Sequence, residues 1–164
     1  MALFKKKYPT PPIQSLDFYL ENFDRLCRKL KLENDLRELR EVLKRELAPS
    51  VIKILEQSNY EALVVTNNDK KIVWANNGFK EMTGYGKIFA MGKKPTFLQG
   101  PNTAEQTKKE IRRLLKAQKR FSSSLVNYRK NGEEYICHID VIPLKNLDDQ
   151  VTHFLAMERE VNAA

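Results

Sequence analysis

The chain has 164 residues, enough for one domain and an accessory segment, with 41% hydrophobic and 30% charged residues, the balance of a soluble globular protein. No apolar run approaches the roughly 20 residues needed to span a bilayer, and Phe4-Lys5-Lys6-Lys7-Tyr8-Pro9 has positive charge with no apolar stretch after it, which excludes a secretory signal. The net charge of +8 divides into +3 up to Gln57 and +5 beyond it, so neither half is a basic tail and nucleic acid is disfavoured as a partner.

Taken in chain order, residues 1–14 end in Pro9-Thr10-Pro11-Pro12 and read as an extended lead-in, because clustered prolines cannot sustain a helix. A helical arm follows over residues 15–57. Ser15 is its expected N-cap, with Asp17 in the first turn. Leu16, Tyr19, Phe23, Leu26 and Leu30 recur at alternating spacings of three and four, which is one apolar stripe on a helix. A break is expected over Leu32 to Asp35, where Asp35 and Glu38 have capping-box spacing. Leu36, Leu39, Leu43 and Leu47 then mark a second helix stopped by Pro49, with a short helical piece over Ser50 to Glu56. Two such helices are marginal alone in water. They must pack on each other and on the following domain, or on a second copy of the chain.

After Ser58 the pattern becomes strand-like. Ala62 to Thr66 and Lys71 to Ala75 flank the turn Asn67-Asn68-Asp69 and predict a hairpin. Asn76 to Thr83 predicts a short helix closed by Gly84, and a loop rich in Gly, Lys and Pro runs to Asn102. Ala104 to Gln118 predicts a helix with Ile111, Leu114 and Leu115 on its buried side. Ser122 to Arg129, Glu134 to Leu144 and Val151 to Val161 predict three closing strands. The order fits an α+β fold: a five-stranded antiparallel sheet with short helices on one face, occupying 58–161, before a tail of 162–164.

Particular residues add to that order. Val73-Trp74-Ala75-Asn76 precedes Phe79, and Met82-Thr83-Gly84-Tyr85 follows. Phe97-Leu98-Gln99-Gly100-Pro101-Asn102-Thr103, Asn127-Tyr128-Arg129-Lys130-Asn131-Gly132 and His153-Phe154 complete the series. In this order they resemble the PAS domain, and the Phe-Leu-Gln-Gly and Asn-Tyr-Arg-Lys stretches are most similar to its LOV subfamily, the flavin-binding blue-light sensors. That resemblance implies the PAS fold and a sensory, signalling role without catalysis. The family's photoactive cysteine is replaced by Pro95, so cysteinyl adduct chemistry is excluded at that position. Gln99 and Asn127 match positions that hydrogen-bond flavin, and Arg112 falls where a phosphate-binding arginine would lie. Against them, Lys94 and Cys137 replace asparagines, Thr96 replaces a second phosphate-binding arginine, and Glu158 replaces a glutamine near the ring. Each ring group left unanswered costs about 1–3 kcal/mol, and an ionised Glu158 would lose solvation. The expectation is therefore a pocket with no cofactor, FMN being the one candidate that the resemblance supplies.

The remaining features read as ordinary ones. Lys108, Arg112 and Lys116 share a helical face, read as solvated, with an acidic partner as the alternative. His138 and His153 lie on expected strands and suit neither haem nor zinc, while Cys27 and Cys137 have no ligand spacing. No metal site, catalytic constellation, phosphate loop or nucleophile turn is present in the pattern. A cavity between sheet and helices is expected, lined or filled by Val65, Val73, Phe79, Phe97, Leu98, Leu114, Ile139, Val141 and Phe154, with a small apolar or aromatic ligand as the functional alternative to close packing. A reduced, cytoplasmic protein is the default. With no output domain after Val161, the signal is expected to pass through the N-terminal helices, to a homodimer or a separate signalling protein and not to a membrane.

Overall fold

The computed structural model describes residues 14–162. The expected lead-in therefore lies outside the described residues except at Gln14, and so does the tail beyond Asn162. Helix α1 runs without interruption over Gln14–Leu43, and α2 covers Pro49–Gln57. Strands β1 (Ala62–Asn67) and β2 (Ile72–Ala75) lead to α3 (Asn77–Thr83), α4 (Lys87–Ala90), a 3-10 turn (Pro95–Leu98) and α5 (Glu105–Ala117). Strands β3 (Phe121–Tyr128), β4 (Glu134–Lys145) and β5 (Val151–Val161) close the chain. The five strands form one antiparallel sheet in the order β2-β1-β5-β4-β3, which places the last strand at the centre.

Three features of the arm correct the expectation. Ser15 lies within α1 and not ahead of it. The break at Leu32 to Asp35 is absent because Asp35 is buried and bonded outward. It accepts from Asn76 Nδ2 at 2.9 Å and Tyr60 Oη at 3.2 Å instead of capping its own helix. Pro49 starts α2 instead of stopping a helix, since a proline ring suits the first turn, where no backbone donor is needed. The chain leaves α1 at Lys44, whose φ of 54° lies in the left-handed region.

The arm also changes the layering. Leu39, Leu43 and Leu47, with Val51 and Leu55 of α2, pack on Leu63, Val65, Trp74, Leu155 and Met157. These sheet residues alternate with those facing α3, α4 and α5, as period-2 strands require. The sheet thus carries helices on both faces, the arm covering the one that the sequence pattern left open. The stripe at Tyr19, Phe23, Leu26 and Leu30 is not buried on the domain: these side chains are 70, 63, 53 and 55% exposed.

Candidate functional site

Between the sheet and the face formed by α5 and the 3-10 turn lies a cavity of about 380 Å³. Strand alternation sets its walls: Phe121, Leu125 and Asn127 from β3, Ile139 and Val141 from β4, and Phe154, Ala156 and Glu158 from β5. Leu98 and Gln99 come from the turn, and Ile111, Leu115, Lys108 and Arg112 from α5. The expected lining residues Leu98, Ile139, Val141 and Phe154 are therefore in place. Val65 and Val73 belong to the opposite face beneath the arm, and Phe79, Phe97 and Leu114 pack in the adjoining core.

The segment carrying Gln99 is held rigidly. A Cβ at Gly100 would stand 2.3 Å from the Tyr128 ring, so only glycine permits this approach. Thr103 Oγ1 donates to Val126 O at 2.6 Å and accepts from Gly100 N at 3.0 Å, tying the loop to β3. Tyr128 Oη in turn accepts from Asn102 N at 3.0 Å and donates to Glu134 at 2.7 Å. This is why the Gly-Pro-Asn-Thr stretch after Gln99 and the tyrosine after Asn127 belong to one device.

The three residues singled out for cofactor binding, Gln99, Asn127 and Arg112, all line the cavity. So do Lys94, Pro95, Thr96 and Glu158 at the substituted positions, whereas Cys137 is packed in the core behind the wall. Burial, then the nearby Glu158, pushes the Cys137 thiol well up, so it stays protonated and inert. Lys108 is only partly solvated: with Lys70, Lys94 and Arg112 it gives this cavity a cationic margin, which corrects the reading of that stripe as wholly outward.

Two acceptors inside the cavity lack a hydrogen-bond partner among the described residues, Asn127 Oδ1 and Glu158 Oε2, though both side chains are buried. Glu158 faces Ala62 on one neighbouring strand and Ile139 on the other, neither able to pair with it. Burial alone pushes its carboxyl up to about 7. His138 instead pairs with Ser124 Oγ at 2.9 Å, His153 with Thr152 Oγ1 at 3.0 Å, and neither lines the cavity. Among the described residues no cluster of His, Cys, Asp and Glu could hold a metal ion. No described helix is long and apolar enough to cross a membrane.

The PAS domain family model matches residues 61–163. The voltage-gated inwardly rectifying potassium channel KCNH3 of Homo sapiens is 36% identical over 93 residues, 56% of this chain and 9% of the channel. Phototropin-2 of Oryza sativa subsp. japonica is 33% identical over 106 residues, 65% of this chain and 12% of phototropin-2. The chain thus matches only a small part of each of these curated relatives. Among solved structures, the PAS domain of the fruit-fly ELK potassium channel superposes with a TM-score of 0.61 at 28% identity, covering 70% of this chain and 97% of that domain. A light-oxygen-voltage domain studied with a flavin analogue gives 0.62 at 27% identity, covering 69% and 85%. With the matched fold and a family model covering most of its length, this chain belongs to the PAS domain family, with LOV domains and potassium-channel PAS domains among its neighbours.

Proposed function

We propose that the chain is a non-catalytic, cytoplasmic PAS module that senses a small ligand in the cavity between sheet and helices. It passes the signal by protein–protein contact through its N-terminal arm, to a second copy or a separate signalling protein. The observation that carries this reading is the pair of unanswered acceptors, Asn127 Oδ1 and Glu158 Oε2, on the largely apolar sheet wall of a cavity with a cationic margin. Leaving such groups unpaired costs about 1–3 kcal/mol each. A ligand that donates to them recovers that cost, which is the basis of selective binding in an apolar pocket. The relatives suit a domain that serves a larger protein: a potassium channel in one case, phototropin-2 in another.

A second reading, non-covalent flavin binding, is favoured by the convergence of Gln99, Asn127 and Arg112 on one cavity. The residues present fit such a group. Asn127 Oδ1 suits a ring N–H, a protonated Glu158 could donate to a ring acceptor, and Arg112 with Lys94 and Lys108 suits a phosphate. A bound flavin would supply light absorption and electron acceptance. Pro95 offers it no thiol, so these residues would hold and orient the ring without bonding to it. The test is an absorption spectrum of the purified chain, repeated after adding flavin mononucleotide. Flavin bands that co-purify or build up establish the second reading. A colourless protein that ignores added flavin leaves a flavin-free sensor of another donor-bearing ligand.

A further inference from the structure

The first half of α1 carries Leu20, Phe23, Leu26 and Leu30 on its surface, each more than half exposed. At about 100° per residue, Phe23, Leu26 and Leu30 lie within a narrow arc of the helix. Leu32, Leu36, Leu39 and Leu43, which pack toward the sheet, centre roughly 140° away by the same rotation. One straight helix cannot turn both faces to one sheet. The surface that buries Leu39 therefore cannot cover Phe23.

The spacing says what could. Tyr19, Phe23, Leu26 and Leu30 follow the four-three-four alternation of a coiled-coil seam, whose natural cover is another helix. The charges say how that helix must run. Glu21 and Asp24 precede Arg25, Arg28 and Lys29, and Asp17 adds to the acidic side in the sequence. Two parallel copies would set like charges together. Two antiparallel copies crossing at Phe23 would bring each acidic stretch against the partner's basic one.

We propose that the exposed half of α1 docks on the same segment of a second copy of this chain, antiparallel and centred on Phe23. This rests on the reading of the arm as the signalling element and gives that element its partner. The two domains lie at opposite ends of the paired helices, and their cavities remain open to ligand.

The test uses the full chain. Light scattering across a concentration series should give a dimer mass for the natural sequence and a monomer mass for Phe23→Glu and Leu26→Glu. Both variants should keep the melting temperature of the natural monomer fold, since both positions are solvent-exposed. Orientation is read by spin labels at Glu33→Cys in a Cys27→Ser background, Cys137 being buried. Antiparallel pairing sets the two labelled positions about 30 Å apart along the axis, twice the ten-residue offset from Phe23 at 1.5 Å per residue. A monomeric natural chain, including one whose stripe is shielded by its own residues 1–12, overturns the proposal while leaving the cavity reading intact. So does a dimer that survives Leu26→Glu. A label distance near 10–15 Å, the separation of parallel neighbours, overturns the orientation.

Discussion

Glu158 has a hydrogen-bonded backbone and an unanswered side chain. Its carbonyl accepts from Glu61 N at 2.9 Å, while its carboxyl is held between Ala62 and Ile139 with Oε2 unpaired. Desolvation raises the carboxyl from 4.5 to about 7, so across that interval the folded chain holds a proton that the unfolded chain has released. Stability accordingly falls as the pH rises from 4.5 through 7 and levels off above it. The full effect of such a shift is on the order of 3 kcal/mol. Glu158→Gln keeps the shape and removes the charge, so it should match the natural chain near pH 5 and exceed its stability by about 1–3 kcal/mol at pH 8. Urea denaturation at the two values measures this. A gap that is the same at both would mean that the carboxyl is paired in solution. A donor-bearing ligand should narrow the gap at pH 8, because it gives the ionised carboxylate the partner it lacks.

At the scale of elements, one buried contact joins the arm to two others. Asn76 Oδ1 accepts from Phe79 N at 3.3 Å, capping α3, and from Leu63 N at 3.0 Å, tying it to β1. Its Nδ2 donates to Asp35 on α1. Next to it, a Cβ on Gly78 would fall 1.8 Å from Glu61 O, so α3 crosses the start of β1 at a distance only glycine allows. Half of this was legible in the sequence. A short helix closed by Gly84 is legible there, with Asn76 as its first residue where the structure makes it the cap, and the strand pattern located all five strands to within a residue or two. The other half was not, because Asp35 with Glu38 three residues on reads locally as a cap. Only the fold reveals that Asp35 answers Asn76 and Tyr60 while Glu38 accepts from Trp74 Nε1 at 3.0 Å. A long-range polar contact leaves no local period to detect. Asn76→Ala should cost about 2–4 kcal/mol, summing a lost cap with the buried groups left unpaired. In a double-mutant cycle with Asp35→Ala, the two losses should overlap by at least about 1 kcal/mol. Strict additivity in urea titrations would show that the arm and α3 are held independently.

At the scale of the whole molecule, β5 looks both ways. Phe154, Ala156 and Glu158 face the cavity, and the intervening Leu155 and Met157 lie beneath the arm. A ligand that shifts the central strand is felt on the outer face through residues one position away, which is how a buried site can reach an external helix. The arm has two halves with different duties. From Leu32 onward, α1 and α2 complete the core, covering Leu63, Val65, Trp74, Ile142, Leu155 and Met157. Ahead of Leu32 the helix adds no side chain to that buried cluster, touching the domain through Lys31, which donates to Glu61 O at 2.8 Å and lies over the Tyr60 ring. Two truncations separate these duties. Deleting residues 1–57 uncovers a contiguous apolar sheet face, the kind of surface that drives association. That product should aggregate, or bind a hydrophobic dye and melt at a much lower temperature. Deleting only residues 1–31 should leave a monomer that unfolds cooperatively near the natural melting temperature, because the removed stretch contributes little to the core. Thermal melts and light scattering on both products decide it. A domain of 58–164 as stable as the full chain would make the arm a mere appendage, and a shift on its face could then carry no message from the cavity.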